Sequence, residues 1–87
     1  MSKELSIEIS SHAKEQMFER GVSENQVRIA IRQGEEEPAR KGRFMYTKNF
    51  SFKKTWRDRE YNIKQVVSVV AKENDKLIVV TVYAYYF

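Results

Sequence analysis

The segment from Lys76 to Tyr86, KLIVVTVYAYY, constrains the fold more than any other part of the chain. Its β-branched and aromatic residues favour a strand. Split by a period of two, it gives Leu77, Val79, Thr81, Tyr83 and Tyr85 on one face and Ile78, Val80, Val82, Ala84 and Tyr86 on the other. Both faces are largely apolar, so the strand belongs inside a sheet or under cover on both sides. The apolar run from Leu77 to Tyr83 is strand-sized and far too short to cross a bilayer. In a chain of 87 residues one core is all that fits, and residues 1–87 read as a single domain.

The neighbours of that strand can be read off the same way. Leu5, Ile7 and Ile9 alternate with Ser6, Glu8 and Ser10, the pattern of a short first strand. Ser10 or Ser11 can cap a helix over 12–20, with Ala13 and Met17 on its inner face, and Gly21 is placed to end it. Ser23 with Gln26 three residues on reads as a capping box for a second helix over 24–33, whose buried stripe is Val27, Ala30 and Ile31. The two helices therefore meet at a tight corner. Pro38 disfavours helix at Glu37, so helical structure stops in the acidic triplet Glu35-Glu36-Glu37, which is expected to be solvated or paired with cations.

After Gly42 everything reads as strand: 43–48, a turn at Asn49, 50–57, a charged turn, 61–72, a turn at Asn74-Asp75, and the last strand. The fold class is thus α+β with the order β-α-α-β-β-β-β. Two N-terminal helices are expected to pack on one face of a twisted antiparallel sheet.

Charge is segregated along the chain. Residues 1–39 carry five Lys/Arg against eight Asp/Glu, whereas residues 40–64 carry nine cations (Arg40, Lys41, Arg43, Lys48, Lys53, Lys54, Arg57, Arg59, Lys64) against Asp58 and Glu60, a net +7. Such a concentration points to a surface for a polyanion. Lys53, Thr55 and Arg57 fall on one face of their strand, with Arg59 in the turn beyond, and Arg43 at the start of the sheet extends the set; these are the candidate phosphate contacts. Phe50 and Phe52 are expected in the core, whereas Trp56 and Tyr61, near the turn, are expected to be exposed, and Trp56 to be available for base stacking.

There is no cysteine and a single histidine, so no thiolate site, disulfide framework or His-based metal cluster is expected, and no cofactor is implied. No Gly-rich phosphate loop or nucleophile elbow is present. His12 is the one group whose ordinary pKa suits proton transfer near neutrality; its place in the first turn of a helix favours the neutral form. For a lone histidine without a visible partner, a packing or capping role at the strand-to-helix corner is the commoner one. The start, Met1 to Leu5, lacks the apolar core of a signal peptide, and a cytoplasmic location is expected.

Ser11 to Gly34, SHAKEQMFERGVSENQVRIAIRQG, resembles a widespread small bacterial and archaeal domain of unknown function. Its pattern is S/T-x-H-A-x-x-R-M-x-E-R-G-[IV], with a second helix ending A-I-x-x-G. The closing hairpin, from Val66 to Val70 and Lys76 to Tyr83, is similar too. Gln16 stands where the pattern carries Arg. The order of elements resembles toxins of the RelE/ParE superfamily, including BrnT-like ribonucleases. That architectural likeness implies an RNA or ribosome partner, an acidic antitoxin protein, and metal-independent RNA cleavage with His12, Arg20 and Tyr83 as catalytic candidates. Two rival readings use the same fold. One is a non-catalytic nucleic-acid-binding module. The other is a protein-interaction module, monomeric or homodimeric, whose sticky strand is Tyr83-Ala84-Tyr85-Tyr86-Phe87.

Overall fold

The structure, a computed structural model, describes residues 5–87; Met1 to Glu4, most of the start read above as leaderless, lie outside the described residues. Its elements are β1 (Ser6–Ile9), α1 (Ser11–Arg20), α2 (Glu24–Gln33), β2 (Glu35–Pro38), a 3-10 turn at Arg40–Gly42, β3 (Phe44–Trp56), β4 (Arg59–Glu73) and β5 (Lys76–Tyr86). The strands form one five-stranded sheet in the order β1-β5-β4-β3-β2. The α+β architecture with two helices on a sheet is as expected. The sheet is mixed, because β1 runs parallel to β5 while every other neighbour is antiparallel.

Local chemistry fixes the helix ends. The Ser10 hydroxyl accepts from the Ala13 N–H at 3.1 Å. Ser23 and Gln26 make both halves of the capping box, each bond 3.1 Å. Gly21 ends α1 at φ 71°, the left-handed region where a side chain costs about 1–2 kcal/mol. Gly34 ends α2 where a β-carbon would collide with the carbonyl oxygens of Ala30 and Thr47, so the helix can settle directly against β3.

Helix α1 brings Ala13 and Met17, and α2 brings Val27, Ala30 and Ile31, onto Ile7, Tyr46, Val66, Val70, Leu77, Val79 and Val82 of the sheet. Each buried Val, Leu or Ile side chain contributes about 1.5–3 kcal/mol, and the fully buried Ala13 and Ala30 let the helices approach closely.

Besides the parallel pairing of β1 in a sheet expected to be antiparallel, three features differ from the sequence reading. Glu35 to Pro38 is not merely a helix terminator but an edge strand, paired antiparallel with Phe44 to Thr47. Three carboxylates and a proline are the devices that keep an edge from recruiting another strand. Tyr46 reaches Glu36 from the neighbouring strand, its hydroxyl donating at 2.7 Å. Burial, that bond and the carboxylate charge together push the Tyr46 phenol up to about 12.

Asn49 makes no turn. It stays in the ladder opposite Gln65 and spends its carboxamide across strands, accepting from Gln65 Nε2 at 3.0 Å, so 43–48 and 50–57 merge into the single strand β3. Finally, the strict alternation assigned to β5 fails at Val80. The register slips there, with Val69 opposite Thr81 but Val70 opposite Val79. This bulge swaps the faces: Leu77 and Val79 join Val82, Ala84 and Tyr86 beneath the helices, whereas Thr81, Tyr83 and Tyr85 turn to the uncovered face.

Candidate nucleic-acid interface

The uncovered face is built in rows across β3, β4 and β5. Register places Met45, Val69 and Thr81 in one row, Thr47, Val67 and Tyr83 in the next, then Asn49, Gln65 and Tyr85. A last row pairs Ile63 with Phe87 through two backbone hydrogen bonds. Tyr83, Tyr85, Phe87 and Ile63 are exposed, to 38, 49, 62 and 38%. A groove of about 770 Å³ opens over the first rows, lined by Pro38, Ala39, Arg40, Lys41, Arg43, Met45, Val69, Thr81 and Tyr83. Its basic wall is the loop between β2 and β3. Lys41 there takes φ 60° and Gly42 φ 70°, which folds Arg40, Lys41 and Arg43 back over the sheet. Among the described residues, none of these three side chains enters an ion pair or hydrogen bond.

Arg20 reaches this face from the far side. Beyond Ile9, β1 ends and the outer edge of β5 has no strand beside it; α1 covers it instead. Gln16 accepts the Val82 N–H at 2.8 Å and Arg20 donates to the Val82 carbonyl at 2.5 Å. Two side chains one helical turn apart thus replace a missing strand. A glutamine suits this place because its amide oxygen can accept an N–H, which an arginine side chain cannot. From there the Arg20 guanidinium lies 5.3 Å from the centre of the Tyr83 ring. Arg20, Arg43 and Tyr83 therefore lie around one surface.

His12 is not part of it. It is exposed in the first turn of α1, eight residues from Arg20 and so about 12 Å away along the helix axis.

The other phosphate candidates lie at the opposite end. About 40 Å of strand separates the tip of the β3–β4 hairpin from the Arg43 end of β3, in a molecule whose longest extent is 42 Å. There a bulge between Ser51 and Lys54, with Lys53 at φ 47°, bends the hairpin against the helix corner. Trp56, expected to be exposed, is half-buried. It stacks on Tyr86 at 5.2 Å and 16° and lies against Gly21, where a β-carbon would come within 2.6 Å of the indole. Phe52 and Tyr61 complete the ring cluster on Tyr86, at 5.2 and 5.6 Å.

The cations of this end are largely engaged. Arg57 donates to the Glu19 carbonyl at 2.7 Å and lies over Trp56. Lys64 is buried and donates to the Gly21 carbonyl and, at 2.8 Å, to Gln26 Oε1; desolvation, and then the charge of Lys54, lower its pKa. Tyr86 donates to the Arg20 carbonyl at 2.6 Å, and burial raises its pKa against the opposing pull of Arg57. Lys53 and Arg59 remain exposed. The acidic triplet lies away from the hairpin tip, at the groove end, where Glu35 and Glu37 stand opposite Thr47 and Met45.

Sequence reasoning counted Arg40 and Lys41 in the basic segment without giving them a role. The signal was their position between Pro38 and Gly42, a loop forced to turn back. Nothing in the sequence foretold Lys64 as a buried strut.

An α+β domain with helices on one sheet face and a basic, tyrosine-bearing groove on the other is the class defined here. Residues 9–84 match a family described as a domain of unknown function, DUF4258, and the chain belongs to that family. Comparison with curated proteins gave no match, and neither did comparison with solved structures. No helix among the described residues is long and apolar enough to cross a membrane.

Proposed function

We propose that this chain is a toxin-like RNA-binding domain acting in the cytoplasm, and that RNA lies on the uncovered sheet face. The observation that carries the reading is the groove that Arg40, Lys41 and Arg43 line together with Tyr83. Side chains of that kind position a phosphate backbone, and an aromatic floor suits bases. The architectural likeness to RelE/ParE toxins points to messenger or ribosomal RNA as the target and to an acidic antitoxin as protein partner. The test is a titration of the full chain against a fluorescent RNA stem-loop at rising salt. A steep linear fall of log affinity with log salt is expected; no binding at low salt contradicts the proposal. Induction in a bacterial host is expected to slow growth, and unimpaired growth at high expression argues against the toxin-like part.

A cleaving version is favoured by one contact, Arg20 over Tyr83. In it a ribose 2′-oxygen attacks the adjacent phosphorus and the bond to the 5′-oxygen breaks, leaving a 2′,3′-cyclic phosphate and a 5′-hydroxyl. Arg20 and Arg43 offset the charge of the phosphorane. Tyr83 protonates the departing 5′-oxygen and regains its proton from solvent, which also receives the 2′-proton. Fragments with cyclic phosphate ends, formed in the presence of a chelator and abolished by Tyr83→Phe, are the expected result; intact RNA after long incubation leaves a binding module.

A further inference from the structure

The groove on the uncovered face differs in charge from two other cavities of the molecule. A cavity of about 370 Å³ at the start of β2 is lined in part by Glu35, and one of about 500 Å³ beside β1 by Glu8 and Glu24. Among the described residues no carboxylate lines the groove, whose charged groups are Arg40, Lys41 and Arg43; Glu37, opposite Met45 on the neighbouring strand, is outside that lining. Its volume of about 770 Å³ falls within the roughly 300–1,000 Å³ of small-ligand sites. The floor is one row of the sheet, Met45, Val69 and Thr81, and Tyr83, Pro38 and Ala39 border it. Three strands side by side give that row a width of about 10 Å. Free phosphate has no use for such a floor, and an uncharged ring system has none for the wall. A flat apolar body that carries an anion uses both. The three cations lie within four consecutive residues, so their backbone spans at most about 11 Å. That reach suits one phosphate or two adjacent ones.

We infer that the groove is a site for one nucleotide unit, its base on the Met45–Val69–Thr81 row and its phosphate on the Arg40–Lys41–Arg43 wall, and that a free nucleoside monophosphate enters the same site and displaces RNA. The inference takes its ligand class from the RNA-binding reading, on which it rests, and narrows that reading to one subsite. The row holds a base by its face, since no amide or carboxylate stands in it to read a base edge. Purine and pyrimidine monophosphates therefore both bind, the purine more tightly because it covers more apolar area.

The test is an NMR titration of the full chain, methyl-labelled at methionine and valine, with adenosine 5′-monophosphate, adenosine and inorganic phosphate in turn. The monophosphate at millimolar concentration is expected to shift the Met45 and Val69 methyl signals. Adenosine is expected to do so about tenfold more weakly, for want of the charged contact, and inorganic phosphate to shift the amides of residues 40–43 alone. The monophosphate is also expected to displace a short labelled RNA, with inorganic phosphate on the order of tenfold less effective. If the chain binds RNA with steep salt dependence, but the floor methyls stay still or phosphate displaces the RNA as well as the monophosphate does, the nucleotide site is wrong and the RNA-binding reading stands. If the monophosphate shifts the floor methyls and the chain binds no RNA, that reading falls and the nucleotide site stands. If neither binds, both fall.

Discussion

The cations of residues 40–64 are divided between the two ends of the molecule, and the two ends use them differently. At the hairpin end the buried Lys64 and the exposed Arg57 both donate to carbonyl oxygens of the helix corner, beside the rings gathered around Tyr86. There positive charge joins the helix corner to the sheet. At the groove end Arg40, Lys41 and Arg43 border an open cavity with Tyr83. Equal charge in a sequence thus has opposite meanings, depending on whether backbone carbonyls stand within reach. The end of a helix offers four unpaired carbonyls, and the hairpin folds back onto such an end; the loop after Pro38 does not.

The comparison breaks first at Gly21. Gly21→Ala forces a β-carbon into a left-handed residue against Trp56. A loss of about 2–4 kcal/mol in denaturant stability is expected, from the conformational cost and overpacking together. An unchanged midpoint would show that the hairpin does not bear on the corner.

Lys64→Met removes two bonds from a charged donor and is expected to cost about 1–3 kcal/mol near neutrality. The unfolded lysine holds its proton up to about 10.5, whereas the folded one, with its pKa lowered, releases it earlier. In the wild type, Lys64 therefore adds stability as pH rises from its folded pKa toward 10.5. Subtracting the variant's pH–stability curve from that of the wild type should isolate this rise; a flat difference would place Lys64 in water.

Tyr46, near the groove end, has the opposite sign. Its pKa is raised from 10.0 to about 12, so its contribution is complete below pH 10 and is lost as pH climbs toward 12. Tyr46→Phe should abolish that alkaline loss in urea titrations taken at successive pH values. A smaller effect is expected for Gln16→Leu, which orphans the Val82 N–H at a partly covered edge. About 1 kcal/mol and faster hydrogen exchange at Val82 are expected, with RNA affinity unaltered; unchanged exchange would mean that Gln16 does not guard the edge.

Much of this architecture was legible because its signals are local. Ser10, Ser23 with Gln26, and Gly21 mark the helix ends through bonds spanning three or four residues, and the structure keeps each of them. What escaped depends on partners far away in sequence. Asn49 resembles a turn residue until Gln65 lies opposite it. The β5 faces follow strict alternation until Val80 bulges. Trp56 looks exposed beside its turn until the Lys53 bulge bends it under Gly21. The site was legible in part for the same reason. Arg20, Arg43 and Tyr83 were singled out and are brought to one surface. Lys53, Arg57, Arg59 and His12 were singled out too, and the fold carries them elsewhere. Charge density locates a basic segment, but only tertiary pairing distinguishes a strut from a binding wall.

The most direct measurement compares two triple variants, Arg40→Ala/Lys41→Ala/Arg43→Ala and Lys53→Ala/Arg57→Ala/Arg59→Ala, in salt titrations of single-stranded RNA binding, each confirmed folded at the working temperature. The groove variant should lose at least tenfold in affinity at low salt, with its salt slope reduced by about 2. The hairpin variant should keep slope and affinity while losing stability. A hairpin variant that loses the slope, beside a groove variant that keeps it, would contradict the assignment of RNA to the uncovered face.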